Sequence, residues 1–187
     1  MIGQYLAGKK VNLRSLREED LSRRIEWLSD EETSRFFTGT PPLKRYVVSD
    51  AERWRTSLEA DITATVWAIE TKYHLHIGDI DIHSVDPYYK SGKITILVGD
   101  KDYWGQGYGT DAMMTLLNHA FTDMRLLNID LRVFAFNIRG IRCYKKCGFM
   151  ESKTPSPGQM GASEPGEVYM TVSRERFLSG IKDVNAV

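Results

Sequence analysis

Cysteine, proline and net charge are all scarce in this sequence. Its 187 residues include two cysteines and six prolines, and 25 basic side chains balance 25 acidic ones. Without a net charge there is no global field to draw the chain to nucleic acid or to an anionic membrane, so we expect neither as a partner. No run of about 18 apolar residues occurs, and Met1 to Lys10 lacks the apolar centre of a signal peptide. We therefore expect a cytoplasmic protein.

The two cysteines, Cys143 and Cys147, lie four residues apart in a segment with helical character. This spacing does not favour disulfide geometry, so we expect both thiols to be reduced and mainly structural. His74 and His76 lie near Asp79, but two histidines beside acidic residues on a strand are more typical of an ordinary surface than of a metal site. No metal is predicted.

A hydrophobic content of 42% suits one compact domain with a sizeable core. We place this domain at residues 1–187, with its core at about 9–177, and expect the tail beyond Phe177 to be frayed. The tract 154–161, rich in proline and glycine, predicts a flexible loop.

Hydrophobic periodicity divides the chain into a first part with helices and an antiparallel meander and a second part in which strands and helices alternate. The second part contains a helix, a strand, a helix that Asn137 can cap, and a last strand over 167–172. This alternation predicts an α/β protein. The three strands of the meander are expected near 63–70, 75–85 and 93–99.

A glycine-rich segment connects the third of these strands to the following helix. Gly105, Gly107 and Gly109 leave backbone N–H groups free to bind an anion at the helix N-terminus. Their Gly-x-Gly-x-Gly spacing differs from the Gly-x-Gly-x-x-Gly of dinucleotide sites, and the Gly-Lys-Ser/Thr of triphosphate loops is missing. A phosphorylated cofactor of another kind is predicted, although a glycine-rich turn can also be only a tight connection.

Two segments together resemble the GCN5-related N-acetyltransferase (GNAT) family, in particular its branch of ribosomal-protein N-terminal and polyamine acetyltransferases. Residues 102–112, DYWGQGYGTDA, resemble the acetyl-CoA loop of that branch. Residues 137–149, NIRGIRCYKKCGF, resemble the asparagine, tyrosine and Gly-Phe pattern of the family at its usual separation. Weaker similarity comes from residues 10–14 with the acidic residues that follow, and from Tyr169-Met170.

The resemblance implies an α/β (α+β) GNAT-like fold, with a mixed sheet of six to seven strands flanked by helices and central strands splayed around acetyl-CoA. It implies that Tyr144 protonates the leaving thiolate of coenzyme A, and that no metal takes part. Dimerisation is common in the family, so a homodimer is expected. The residues expected to bind the cofactor by backbone or side chain are Leu97, Val98, Gly99, Gly105, Gln106, Gly107, Tyr108, Gly109, Thr110 and Asn137.

Other charged residues have more than one interpretation. Arg139, Arg142 and Lys146 form a basic stripe that can meet the adenosine phosphate of the cofactor or simply face water. Next to the glycine loop, Asp111 is compatible with a bound anion only if its side chain points away.

The acceptor must be a primary amine that loses a proton before it attacks. Asp79, Asp81 and His83 share one face of a predicted strand and are candidate bases, and a chain of water molecules is the alternative. Acidic residues around the first helices suit a cationic amine, while the aromatic residues there can line a pocket or fill the core. These aromatic residues are Trp27, Phe36, Phe37, Tyr46 and Trp54.

The pattern does not choose among a protein N-terminus, a polyamine, an aminoglycoside and an amino sugar as the acceptor. The alternative function is a non-catalytic acyl-CoA-binding regulatory module on the same fold.

Overall fold

A computed structural model describes residues 4–42, 45–159 and 165–185. Within these residues, eight strands form one sheet in the order β1-β2-β3-β4-β5-β6-β8-β7. All neighbouring strands are antiparallel except β5 and β6, which are parallel. The strands are β1 (Leu6–Ala7), β2 (Val11–Ser15), β3 (Thr65–Thr71), β4 (His76–Asp86), β5 (Ser91–Val98), β6 (Asn128–Phe134), β7 (Met150–Glu151) and β8 (Glu167–Ser173).

Helices cover both faces of this sheet. Three of them precede β3, and the fourth follows a short 3₁₀ turn at Lys101–Tyr103. In the part of the chain that the structure describes, no helix is long and apolar enough to cross a membrane. The helices are α1 (Asp20–Ser29), α2 (Glu31–Thr38), α3 (Val48–Ala60), α4 (Tyr108–Thr122), α5 (Ile138–Lys146) and α6 (Arg174–Asn185).

The alternation of side chains along the strands separates two apolar layers. On one face, Ile80, Ile82 and Ile94 pack in the main core with the buried face of α4, including Met113 and Leu116. On the other face, Leu97 packs with Trp27 and Leu28 of α1. The predicted meander is β3-β4-β5, and the predicted mixed sheet is confirmed. It has eight strands rather than six to seven because the two-residue strands β1 and β7 extend its edges.

The parallel strands β5 and β6 stay together only at their beginnings. Their described ladder joins Ser91–Lys93 to Asn128–Asp130, and β5 continues for five residues beyond it. Gly99 N–H donates to Ile77 O at 2.9 Å, so β5 keeps its antiparallel partner β4 up to its end while it leaves β6. The central strands are therefore splayed, as the resemblance implied.

The segment expected to be a flexible loop binds β5 and β6 at the end where these two strands are still paired. Ser156 donates its backbone N–H and its hydroxyl to the buried Asp130, at 2.8 and 2.6 Å. Gln159 Nε2 donates to Ser91 Oγ at 2.9 Å. Residues 154–159 contain no helix or strand, so the predicted loop is confirmed there, and these polar contacts hold it against the first residues of β5 and β6. Met160 and Gly161 lie outside the described residues.

The tail beyond Phe177, which the sequence predicts to be frayed, lies in α6, which runs over Arg174–Asn185. Phe177 is 3% exposed and packs against Phe121 of α4, with ring centroids 5.2 Å apart. Arg176 Nε donates to Gly148 O at 2.8 Å. These two contacts anchor the first turn of the helix.

Candidate active site

The glycine loop lies against the open end of β5. Gly105 and Gly107 have φ angles of +72° and +86°, which side chains rarely adopt, and α4 begins directly afterwards at Tyr108. A Cβ on Gly109 would lie 3.2 Å from Val98 Cγ2, so helix and strand approach closely there. Unpaired N–H groups of the first turn of α4 are directed at this end of the loop, which is the geometry of an anion site.

Asp111 points away from this anion site, as predicted, and holds the turn before β2. Its carboxylate accepts the N–H groups of Lys9, Lys10 and Val11 at 3.1, 2.7 and 2.9 Å. Lys10 Nζ in turn donates to the carbonyl of Gln106 at 2.8 Å. Backbone N–H donors thus stabilise the charge of Asp111, and the ammonium group of Lys10 lies beside the glycine loop.

A cavity of about 430 Å³, here called the loop cavity, opens between this loop, β5 and α5. Phe36 from α2 and Ile96 from β5 add apolar walls that the sequence did not single out as cofactor contacts. The predicted residues that line the loop cavity are Leu97, Val98, Gly105, Gly107, Gly109, Thr110, Asn137 and Tyr144.

Three predicted cofactor residues are not among those lining the loop cavity. The side chain of Gln106 turns back to donate to Asp102 O, and Tyr108 packs edge to face on Tyr103 at 5.0 Å. A Cβ on Gly99 would lie 2.0 Å from the ring of Trp27, so this glycine is needed for close packing.

The backbone of β5 also differs from the expectation. Because Gly99 N–H bonds to Ile77, the alternation of an antiparallel pair directs the N–H and C=O of Leu97 to β4. The backbone of Val98 points to the open side, where its carbonyl already accepts the indole N–H of Trp104 at 2.5 Å. Of the three residues expected to offer free backbone groups, Val98 is the one whose N–H points to the open side of β5.

Helix α5 forms the opposite wall of the loop cavity. Asn137 caps it as predicted, since its Oδ1 accepts the N–H of Gly140 at 2.9 Å. The guanidinium of Arg139 lies 3.6 Å from the ring centroid of Trp104 and 4.9 Å from that of Phe36. Burial lowers the pKa of Arg139. Arg142 and Lys146, the other members of the basic stripe, also line the loop cavity, and all three side chains are exposed to solvent as well.

Two neighbouring residues of α5, Cys143 and Tyr144, place ionisable side chains at the cavities. Tyr144 is 9% exposed, and burial raises the pKa of its phenol far above the usual value, so it stays protonated. Cys143 lies 3.3 Å from Thr110 Oγ1, and a hydrogen bond from Cys147 lowers the pKa of the Cys143 thiol. Both cysteines are free thiols, although Cys143 also lines the loop cavity.

A smaller cavity of about 210 Å³, the strand gap, lies where β5 and β6 separate. Ile94 and Ile96 of β5 face Leu131 and Val133 of β6 across it. Tyr144 lines both the strand gap and the loop cavity. Tyr144 is therefore a wall residue that the two cavities share.

A third cavity of about 490 Å³, the helix cavity, lies on the other face of β4 and β5 against α3. Phe37 lines all three cavities and separates them. Trp54 is also a wall residue, whereas Trp27 belongs to the buried core. The aromatic residues of the first helices thus serve both purposes that the sequence left open.

The three candidate bases line the helix cavity together, in different states. Asp79 is 4% exposed and accepts a hydrogen bond from Arg24 at 2.5 Å while its other oxygen lies 3.0 Å from His76. Asp81 lies 2.7 Å from Nδ1 of His83. Asp79 is thus held by its partners, and Asp81 and His83 form a separate pair.

A buried network of charged side chains supports the part of β4 that carries these three candidate bases. Arg14 binds Asp20 with two hydrogen bonds at 2.7 and 2.9 Å and Glu70 with one at 2.6 Å. His76 connects this group to Asp79, since its Nδ1 lies 3.2 Å from Asp20. Among the described residues, no group of three or more His, Cys, Asp or Glu side chains is arranged to hold a metal ion.

The sequence model of the Acetyltransferase (GNAT) domain matches residues 10–150, which include β2 to β6, the glycine loop and α5. The chain belongs to the GNAT acetyltransferase family. It is an N-acetyltransferase with acetyl-CoA as its cosubstrate, and the predicted family and enzyme class are confirmed.

Curated relatives of this GNAT enzyme act on different acceptors, according to their names. Alpha/beta-tubulin-N-acetyltransferase 9 of Homo sapiens is 26% identical over 171 residues, with 81% of this chain and 77% of that protein covered. Aminoglycoside N(6')-acetyltransferase type 1 of Klebsiella pneumoniae is 25% identical over 179 residues, with 89% and 85% covered.

Solved structures share the fold at low identity. Spermidine N-acetyltransferase from Vibrio cholerae in complex with CoA and spermine has a TM-score of 0.73 at 17% identity, covering 90% of this chain and 98% of that one. Aminoglycoside acetyltransferase AAC(6')-Ib in complex with coenzyme A has a TM-score of 0.71 at 24% identity, with the same coverage. These similarities confirm the GNAT fold.

Proposed function

We propose that this GNAT enzyme transfers acetyl from coenzyme A to a primary amine that enters the helix cavity, with Tyr144 protonating the leaving thiolate. The observation that carries the proposal is the position of Tyr144, which lines both the loop cavity and the strand gap. Transfer is direct, from thioester to amine.

The loop cavity fits the shape and charge of coenzyme A. Its pyrophosphate would lie at the first turn of α4, where Gly105 to Thr110 offer N–H donors and the helix dipole favours an anion. Arg142 and Lys146 face the same space and suit the adenosine phosphate. The N–H of Val98, which points to the open side of β5, is positioned to stabilise the developing oxyanion.

Tyr144 acts as a general acid. The amine forms a bond to the carbonyl carbon, the C–S bond breaks, and the thiolate takes the phenolic proton. Because burial raises the pKa of Tyr144, its anion would be unstable, so the phenol must regain a proton from the substituted ammonium as it gives one up. Thioester and amine must therefore be bound together.

We propose a small cationic amine as the acceptor. Arg24 neutralises Asp79, which leaves the carboxylates of Asp61 and Asp81 as the negative charges lining the helix cavity. The Trp54 ring already stacks on the guanidinium of Arg24, 3.5 Å from the ring centroid, so the two carboxylates carry the preference for a cation. Amino sugars and polyamines both fit this chemistry; an extended protein N-terminus is the competing acceptor.

A panel of amines tests the proposal by measuring the release of coenzyme A thiol. Diamines, polyamines, aminoglycosides and N-terminal peptides are each mixed with acetyl-CoA and the full chain. Release with a small cationic amine supports the proposal, and release with peptides alone contradicts the proposed acceptor. Tight binding of acetyl-CoA without release to any amine would favour the regulatory acyl-CoA-binding module.

A further inference from the structure

His83 and Tyr144 both line the strand gap. We infer that His83, oriented by Asp81, is the base that takes the proton from the acceptor ammonium; this inference rests on the proposed acetyl transfer. The His83 side chain is 30% exposed, and that of Asp81 is 14% exposed. The pair is thus accessible from the cavity without being an ordinary surface pair.

Cavity geometry distinguishes His83 from the other two candidates. Asp79 and Asp81 line the helix cavity only, whereas His83 lines both the helix cavity and the strand gap. Tyr144 lines the strand gap from the side of the loop cavity. The proton acceptor and the proton donor therefore border the same small space, as a direct transfer requires.

Hydrogen bonds give Asp79, Asp81 and His83 different roles. Asp79 is buried, and its two oxygens are engaged by Arg24 and His76, so protonating it would break a buried ion pair. Asp81 lies 2.7 Å from Nδ1 of His83 and holds the neutral imidazole in the tautomer with its proton on that nitrogen. Nε2 is then the free acceptor, which makes His83 the catalytic residue and Asp81 a positioning residue.

The protons balance across the two residues. The ammonium gives one proton to Nε2 of His83, and the neutral nitrogen attacks the thioester carbon. The C–S bond breaks, Tyr144 protonates the sulfur, and the second proton of the attacking nitrogen restores the phenol. Imidazolium releases its proton to solvent, so one acetyl group is transferred and one proton is released for each turnover.

The test compares two acceptors that differ in basicity. The first is the best alkylamine of the panel, and the second is its β,β-difluorinated analogue, assayed at about pH 8.5, where its nitrogen is mostly neutral and needs no base for its first proton. In H83Q we expect kcat/KM to fall about 100-fold for the alkylamine and less than about fivefold for the analogue. D81N should show the same contrast with a smaller loss.

Two further variants guard against misfolding and unspecific damage. Added imidazole should restore activity to H83A with the alkylamine, since the helix cavity can admit it. H119Q is the matched control, because His119 also lies 2.7 Å from an aspartate, Asp123, but on α4. We expect H119Q to resemble the wild type with both amines. Affinity for coenzyme A, measured by calorimetry, establishes that each variant is folded.

The outcomes separate the inference from the proposed function. Equal losses for both amines in H83Q, or no loss, would overturn the role of His83 and favour a water chain, while the acetyltransferase proposal would stand. If the wild type transferred acetyl to neither amine nor to any other of the panel, the proposed function would be wrong and the role of His83 with it.

Discussion

Trp104 closes the glycine loop onto β5 by donating its indole N–H to the carbonyl of Val98 at 2.5 Å. The ring is also covered by the guanidinium of Arg139 at 3.6 Å from its centroid. One side chain therefore connects the loop, the splayed strand and α5. This explains how a loop with two left-handed glycines can keep one conformation at the mouth of the loop cavity.

Removing this hydrogen bond while keeping the aromatic face should weaken cofactor binding. A net contribution of about 1 kcal/mol is typical of such a bond, so Trp104→Phe should reduce the affinity for coenzyme A by about fivefold. Titration calorimetry measures this directly. Trp54→Phe is the control, since Trp54 lines the helix cavity and its replacement should leave that affinity unchanged. An equal loss in both variants would contradict the specific role of Trp104.

Tyr144→Phe separates catalysis from binding. The phenyl ring keeps its packing on Phe149, with ring centroids 6.0 Å apart in the wild type, and loses the acidic proton. We expect kcat to fall about 100-fold with the coenzyme A dissociation constant changed less than about twofold. Tyr169→Phe removes another buried hydroxyl, one that donates to Asp130 at 2.6 Å, and should leave kcat close to the wild-type value. An unchanged kcat in Tyr144→Phe would remove the proposed acid.

The carboxylate of Asp111 should be important for stability. In Asp111→Asn one acceptor oxygen becomes a donor facing backbone N–H groups, which we expect to lower the free energy of unfolding by about 1–3 kcal/mol. Denaturant titration gives the value. Asp123→Asn removes an exposed partner of His119, and its effect should stay within about 0.5 kcal/mol. Similar small effects of both substitutions would mean that the turn before β2 has other support.

Acid should unfold the protein through the network around Arg14. Burial raises the pKa of Asp20 and Glu70, but hydrogen bonds from Arg14 outweigh it together with the other donors and charges nearby, so the pKa values lie below their ordinary 3.8 and 4.5. These other groups are His76 and the backbone N–H of Arg17 for Asp20, and His74 for Glu70. Groups with a lowered folded pKa stabilise above the unfolded value and lose this contribution as the pH falls through the folded one. The free energy of unfolding should therefore decrease from about pH 5 downward.

Asp20→Asn should flatten this pH dependence. The variant is expected to be less stable at pH 6, by about 3–5 kcal/mol because a buried partner of Arg14 is lost, and to change less between pH 5 and 3. Glu70→Gln provides a second measurement if Asp20→Asn is too unstable. A wild-type curve that stays flat across this interval would show that the carboxylates do not contribute as described.

The sequence predicted those features that depend on local pattern. The meander, the glycine turn before α4 and the cap at Asn137 follow from periodicity, from backbone conformations that suit glycine and from a short polar side chain. It could not predict that Phe37 would separate three cavities. That role depends on where α2 packs relative to β4, β5 and α5, which the local pattern of α2 does not contain.

The backbone hydrogen bonds of β5 explain why its last residues differ from the expectation. From the order of residues alone, Leu97, Val98 and Gly99 are equivalent, but the hydrogen bond from Gly99 to Ile77 fixes which of them faces β4. The contacts of the loop 154–159 could not be predicted for a similar reason. Its composition is that of a loop, whereas its order comes from Asp130, a distant residue whose buried carboxylate needs donors.

Ser156 and Gln159 attach the loop 154–159 to the first residues of β6 and β5. This attachment fixes the point from which the two strands diverge toward the site. Two strands that share only a three-residue ladder keep a defined angle if that ladder cannot slip. Damage far from the glycine loop, such as a proteolytic cut near residue 155, should therefore alter the width between β5 and β6. Affinity for coenzyme A would then respond to a part of the chain that touches none of the cavities' catalytic groups.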